Sequence, residues 1–157
     1  MALSQATQHL VPDDKSVQSV EPASDYLRAP VQQRKDMHVS NLTFFKLDDL
    51  GPGRESAPLP ERLLAGDPRF TNWDVERSPD DKVRTGVWQT TPGTVRSIKG
   101  GVWEFCYILS GVSELIEDGK PPIRVQAGDA FVMKPDFVGV WRCIETTRKI
   151  WIIYGSA

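Results

Sequence analysis

From Gly66 onward the chain alternates short runs of β-branched, aromatic and aliphatic residues with clusters of Gly, Pro and Asp. The runs are Trp73–Arg77, Arg84–Thr91, Thr94–Ile98, Trp103–Leu109, Val112–Glu117, Ile123–Gln126, Ala130–Met133, Phe137–Ile144 and Lys149–Tyr154. Short β-prone runs at near-regular spacing predict a sandwich or barrel and not βαβ units. The punctuation agrees: Pro92-Gly93, Gly100-Gly101, Ser110-Gly111, Asp118-Gly119, Ala127-Gly128-Asp129 and Lys134-Pro135-Asp136. Asp118-Gly119 is the clearest turn, because a tight hairpin needs positive φ angles that Asp and Gly tolerate.

Ahead of Gly66 the pattern is weaker. Leu42 to Leu47 predicts a short strand, Gly51-Pro52-Gly53 a turn, and Pro60 to Ala65 a brief helix opened by proline and closed by Gly66. From Met1 to about Asp36, scattered Gln, Ser, Asp and Pro show no apolar period. Such a stretch buries too little to offset the entropy of ordering it. The expected organisation is a flexible N-terminal arm, 1–36, and one all-β domain, 37–157.

A chain of 157 residues fits one such domain with a core that needs no staple. The net charge of −2 and 25% charged residues describe an ordinary surface, and argue against a nucleic-acid backbone or an anionic membrane as partner. Cys106 and Cys143 lie inside apolar runs without the spacing of a disulfide framework or zinc knot, which suits a reducing compartment. The polar N-terminus does not read as a secretory signal, and no run reaches the length of a membrane span. The expectation is a soluble cytoplasmic protein.

Between Glu104 and Gly128 the order is Glu-Phe-Cys-Tyr-Ile-Leu-Ser-Gly, a strand, Glu-Asp-Gly, a second strand, and Ala-Gly-Asp. This resembles a cupin. It is similar in particular to the single-domain cupins grouped with the ureidoglycine aminohydrolase cupin domain, through Glu104–Tyr107, Gly128-Asp129, Phe137–Trp141 and Arg148-Lys149 in that order. Gly66-Asp67-Pro68, Trp73, Gly86-Val87-Trp88 and Pro92-Gly93 match the first half of such domains, so the resemblance runs from about Gly66 to Tyr154. It implies a cupin jelly-roll barrel. Because that fold hosts isomerases, dioxygenases, hydrolases and binding proteins, it says little about activity.

A typical cupin holds a divalent metal with three histidines and a glutamate. Laying Glu104 and Gly111 on the first motif puts its two histidine positions at about Ile98 and Gly100, and Gly128 puts the third at Gly139. The chain's histidines are His9 and His38, both ahead of the barrel. No cofactor and no standard metal site are therefore expected. Glu104, Cys106 and a borrowed His38 are the alternative ligand set, without recognised spacing.

Strand alternation puts Cys106 and Ile108 on the face of Glu104, with Trp103, Phe105 and Tyr107 opposite. The motif alignment sends Arg96 inward with Ile98, and Trp141 inward with Gly139; the resemblance also turns Trp88 inward. Lys149 reads as a solvent-exposed turn end, and the resemblance implies a pocket role for it if it shares the side of Trp151. Apolar residues on both faces of Lys149–Tyr154 suggest an outer face covered by a second copy, a homodimer. The expected pocket has Glu104 as catalytic acid or base and Trp88, Arg96, Cys106, Trp141 and Lys149 as binding residues. Such walls suit a small polar or anionic metabolite. Open alternatives are acid–base isomerisation, dehydration or C–N hydrolysis, binding without turnover, and a purely structural dimer. A Glu–Arg ion pair, core tryptophans and an inert buried thiol are the plain structural readings of the same residues.

Overall fold

Two long bent strands organise the barrel, β6 (Trp103–Glu117) and β9 (Val138–Tyr154), which pair antiparallel along nearly their whole length. The computed structural model describes residues 42–155. The expected arm, 1–36, with His9, and His38 beyond it both lie outside the described residues. Ahead of β6 come β1 (Arg54–Ser56), a single 3-10 turn (Pro60–Arg62), β2 (Leu63–Gly66), β3 (Phe70–Arg77), β4 (Val83–Thr90) and β5 (Gly93–Ile98). β7 (Ile123–Gln126) and β8 (Ala130–Met133) separate β6 from β9.

The C-terminal part of β9 pairs with β4 and with the first half of β6, while its N-terminal part pairs with β5 and with the second half of β6. β8 and β7 extend β6 on its other edge, at 104–107 and 112–115 respectively. β3 and β1 continue outward from β4, and β2 from β5. The sheet thus curls on itself as two layers that share β6 and β9, the all-β cupin jelly-roll that the sequence predicts.

The bends explain where the strand expectations fail. Ser110-Gly111 reads as a turn, yet β6 runs through it with register shifts on either side, and Gly111 sits at φ +82°. A Cβ at Gly111 would stand 2.1 Å from the Thr146 carbonyl oxygen. The two strands bend at facing points, so Phe137–Ile144 and Lys149–Tyr154 are halves of one strand, not two strands. The expected strand at 42–47 has no strand structure, and the expected helix at 60–65 shortens to one 3-10 turn before β2. Asp118-Gly119 does form the β6–β7 turn, with the Lys120 amide donating to the Glu117 carbonyl at 2.9 Å.

Ile108, Leu115, Val125, Met133, Trp141, Cys106 and Cys143 form the buried core between the layers. Burying each large aliphatic side chain contributes about 1.5–3 kcal/mol. On β6, Glu104, Cys106 and Ile108 are buried while Trp103 and Tyr107 stay exposed, the alternation expected of a half-buried strand. Among the described residues no helix is long and apolar enough to cross a membrane.

Candidate functional site

One open end of the barrel holds a cavity of about 520 Å³. Cross-strand register builds its wall. Arg54, Asn72, Trp88 and Lys149 stand in one row across β1, β3, β4 and β9; Asp74, Gly86, Trp151 and Cys106 stand in the next; Arg77, Arg84, Ile153 and Glu104 stand in a third. Five arginines (Arg54, Arg62, Arg77, Arg84 and Arg96) and two lysines (Lys99 and Lys149) line the cavity against two carboxylates, Asp74 and Glu104. A chain of net charge −2 has therefore gathered cations around one hollow.

Glu104, 3% exposed, is the deepest carboxylate, and both its oxygens are taken. Lys149 Nζ donates to Oε1 at 2.7 Å, and Lys99 Nζ bonds Oε2. The Cys106 thiol donates to Oε1 at 3.3 Å, and Lys149 Nζ lies 3.2 Å from Cys106 Sγ. Lys149 is held by aromatic faces as well, its Nζ 5.1 Å from the Trp88 ring centre and 4.7 Å from that of Trp141. Those rings meet edge to face at 5.5 Å. Trp141 is fixed in turn by its indole N–H on Ser113 Oγ at 3.0 Å, and Ser113 pairs with Thr147 at 2.8 Å.

Local backbone places Lys99. It leaves the end of β5 into a tight turn, with Gly100 at φ +54° and the Val102 amide on the Lys99 carbonyl. The neighbouring loop braces this turn through the Lys99 amide on the Phe137 carbonyl at 3.0 Å and the Asp136 amide on the Gly100 carbonyl at 2.6 Å. β6 begins immediately afterwards, which brings Lys99 over Glu104.

Burial alone would raise the Glu104 carboxyl, but the charges of Lys149 and Lys99 outweigh it and hold the group at about 2. Burial lowers Lys99, the nearby Lys149 charge lowers it further, and Glu104 opposes both; the net is downward. Burial would also lower Lys149, but the thiol and carboxylate beside it leave it above the ordinary lysine value. Cys106 is pushed up to about 11, chiefly by burial, and is a neutral thiol at pH 7. The charge that keeps Lys149 protonated there is accordingly that of Glu104.

The structure brings together Glu104, Cys106, Trp88, Trp141 and Lys149. Arg96 differs from expectation. β5 pairs Val95 with Trp141 and Ser97 with Gly139, so Val95 and Ser97 share the inward face; Arg96 and Ile98 lie on the other. Arg96 reaches the cavity from its rim and spends its guanidinium on both oxygens of Asp118. The cations at Glu104 are two lysines, not an arginine. Lys149 is buried mid-strand instead of ending a turn in solvent. Lys99 escaped the sequence reading, although it lies between the two positions, Ile98 and Gly100, where the metal motif calls for histidine.

Those positions do not fit a cupin metal. Ile98 and Gly100 carry no donor, and a Cβ at Gly139 would stand 2.5 Å from the Ile116 carbonyl oxygen. Glu104, the remaining ligand position, is saturated by ammonium groups. Among the described residues no group of three or more His, Cys, Asp or Glu is placed to hold a metal ion.

The family model of the EutQ-like cupin domain matches residues 77–151. A search of curated proteins finds no match. Among solved structures, a DUF861-family protein of unknown function from Pseudomonas syringae pv. tomato is 20% identical with a TM-score of 0.58 over 66% of this chain; the matched region spans 43% of that protein. The Clostridium difficile EutQ protein is 17% identical with a TM-score of 0.56, covering 74% of this chain and 89% of its own. A putative ethanolamine utilization protein Q from Salmonella typhimurium LT2 is 12% identical with a TM-score of 0.52, covering 68% and 100%. At these identities the structures share the fold, the cupin jelly-roll, and the EutQ-like cupin model matches just under half of this chain.

Proposed function

We propose that the cupin barrel binds a small anionic metabolite in its cationic cavity, and that Glu104 serves to hold two lysines in place. The observation that carries this is the charge of the lining: seven cationic side chains against two carboxylates, of which Arg96, Arg77 and Arg54 face Asp118, Asp81 and Asp74, leaving Arg62, Arg84 and the excess charge of the Lys99–Glu104–Lys149 cluster without a counter-charge among the described residues. At the buried floor of the cavity, around Lys149 and Lys99, that excess favours a negative ligand more than it would at the surface. The aromatic faces of Trp88 and Trp141 supply apolar contact beside the charge. The motifs that resemble ureidoglycine aminohydrolase cupin domains contribute Glu104, Cys106 and Lys149 to this cluster, which supports a carboxylate-bearing ligand without extending to that reaction.

Glu104 suits neither half of the acid–base role first expected of it. It is ionised at neutral pH and so has no proton to give, and a carboxylate held at about 2 is a weak base. A catalytic variant of the proposal turns on Lys99. Two ammoniums share one carboxylate, so the arrangement carries one excess proton, and Lys99 is the member whose pKa is lowered. Lys99 is then the group that exchanges a proton with the ligand.

Isothermal titration with small organic acids, their amides and neutral sugars tests the reading, at two salt concentrations. Acids are expected to bind, amides to bind at least tenfold more weakly, and Lys149→Met to abolish acid binding. Equal binding of acid and amide, or binding by a neutral sugar alone, would overturn it.

A further inference from the structure

We propose that Trp151 and Arg84 form a second carboxylate-binding point in the same cavity, so that the ligand is a short dicarboxylate whose other end meets Lys99 and Lys149. This rests on the anion-binding reading above and specifies the ligand within it. Trp151, 8% exposed, lines the cavity with its indole N–H buried and without a hydrogen-bond partner. Arg84 Nε is in the same condition on the same wall. Buried N–H groups are paired in the great majority of cases, so two orphaned donors on residues that line one cavity call for an acceptor, which the side chains must turn to meet.

The surroundings show that the protein supplies none. Trp73 and Trp141 place their indole N–H groups on the Gly51 carbonyl and on Ser113 Oγ. The acid nearest in register, Asp74, is engaged by Asn72 at 2.8 Å and by Arg54 at 3.9 Å. Arg84 forms no ion pair among the described residues, whereas its row neighbour Arg77 is paired with Asp81 at 2.9 Å.

The fold makes room for this arrangement. Gly86 lies opposite Trp151 in register, and a Cβ there would stand 2.6 Å from Trp151 Cζ2 and 2.3 Å from the Trp73 carbonyl oxygen. Any side chain at 86 would collide with the indole where it now sits. A register shift in β3 between Asp74 and Glu76 opens a second hollow of about 230 Å³ on the same two residues, Arg84 and Trp151. β-bulges of this kind re-aim side chains next to sites.

The chemistry and span of the ligand follow. One N–H from an indole and one from a guanidinium match the two oxygens of a single carboxylate. Arg84 and Glu104 flank Ile153 from the two neighbouring strands, so their Cα atoms are roughly 10 Å apart at two strand spacings. Side chains reaching inward from both leave room for a short chain with an acid at each end.

Isothermal titration of the full chain with propionate, butyrate, succinate and glutarate tests the inference. The wild type is expected to bind succinate or glutarate at least about tenfold tighter than the monoacid of equal length. Trp151→Phe, which removes the N–H, keeps a ring and leaves the charge of the lining unchanged, is expected to erase that tenfold while changing monoacid binding less than about twofold. Monoacid binding without dicarboxylate preference, or equal loss of both in Trp151→Phe, would overturn the second binding point and leave the anion reading intact. Failure of every acid to bind would overturn both. Should the variant fold poorly, the Trp151 indole resonance in a nitrogen-15-labelled wild type decides: it is expected to shift with succinate and not with propionate, and no shift with succinate refutes the inference.

Discussion

Lys149 Nζ donates to Glu104 Oε1 at 2.7 Å, tying β9 to β6 across the floor of the cavity, with both residues at most 5% exposed. Because Lys99 bonds the other oxygen, the unit is a triad with one excess positive charge, and its members are not equivalent. Glu104→Gln strands two buried ammoniums without a counter-charge, which is expected to cost about 3–5 kcal/mol. Lys149→Met leaves the carboxylate neutralised by Lys99 and keeps an unbranched stem against Trp88 and Trp141, for a cost of about 1–2 kcal/mol. Denaturant midpoints at pH 7 rank the two variants. The reverse order would mean that Lys99 does not compensate Glu104.

The same triad sets a pH dependence. Glu104 titrates at about 2 in the folded chain against an ordinary 4.5, so the folded state binds its proton less readily than the unfolded state. The resulting stabilisation is fully present above about pH 4.5 and is lost as the pH falls toward 2. It amounts to a few kcal/mol on the order expected for a buried paired carboxylate. Lys149, held above the ordinary lysine value, keeps its charge throughout that window, so within the Lys149–Glu104 pair it is Glu104 that titrates. Stability curves from pH 6 to pH 2.5 are expected to fall more steeply for the wild type than for Glu104→Gln. Parallel curves would remove Glu104 as the origin of the acid limb.

What the sequence discloses and what it hides separate along one line. Alternation within a strand is local, so Glu104, Cys106 and Ile108 share a face because of their spacing alone. Register between strands is not local. Nothing in the run Thr94–Ile98 says that Val95 will meet Trp141, and a shift of one position exchanges the inward and outward sets. The motif alignment carried that one-residue error to Arg96. Bends are hidden for a related reason: Ser110-Gly111 has the composition of a turn, and only the pairing of β6 with β9 on both sides makes it a kink. Trp151 and Arg84 gave no local signal, since an orphaned donor is defined by what its neighbours fail to supply.

Cys106 and Cys143 should behave as core residues toward thiol reagents. Cys106 is fully buried, its thiol is pushed up to about 11, and its proton is committed to Glu104. Cys143 is 5% exposed, with its sulfur against the Glu145 carbonyl oxygen at 3.1 Å. Reaction needs thiolate and access, and the fold withholds both from Cys106 and access from Cys143. Native protein is expected to show negligible labelling by a disulfide reagent over the time in which unfolded protein reacts at both cysteines. Fast native labelling at Cys106, identified with Cys106→Ala, would restore it as a candidate nucleophile.

Elemental analysis of the purified protein addresses the metal question at the centre of the cupin resemblance. Ile98, Gly100 and Gly139 stand where histidines would be required, and Glu104 faces two ammonium groups that a divalent cation would have to displace. Displacement would leave two lysines beside a dication in a low-dielectric site, a repulsion that the carboxylate alone cannot offset. Metal is therefore expected well below one equivalent, with no change in melting temperature on adding zinc, manganese or a chelator. Stoichiometric metal that survives dialysis would contradict this, and the next variants would be Glu104→Ala, Cys106→Ala and His38→Ala. Loss of metal in all three would assign it to the alternative ligand set, with Lys149 displaced from Glu104 in the loaded state.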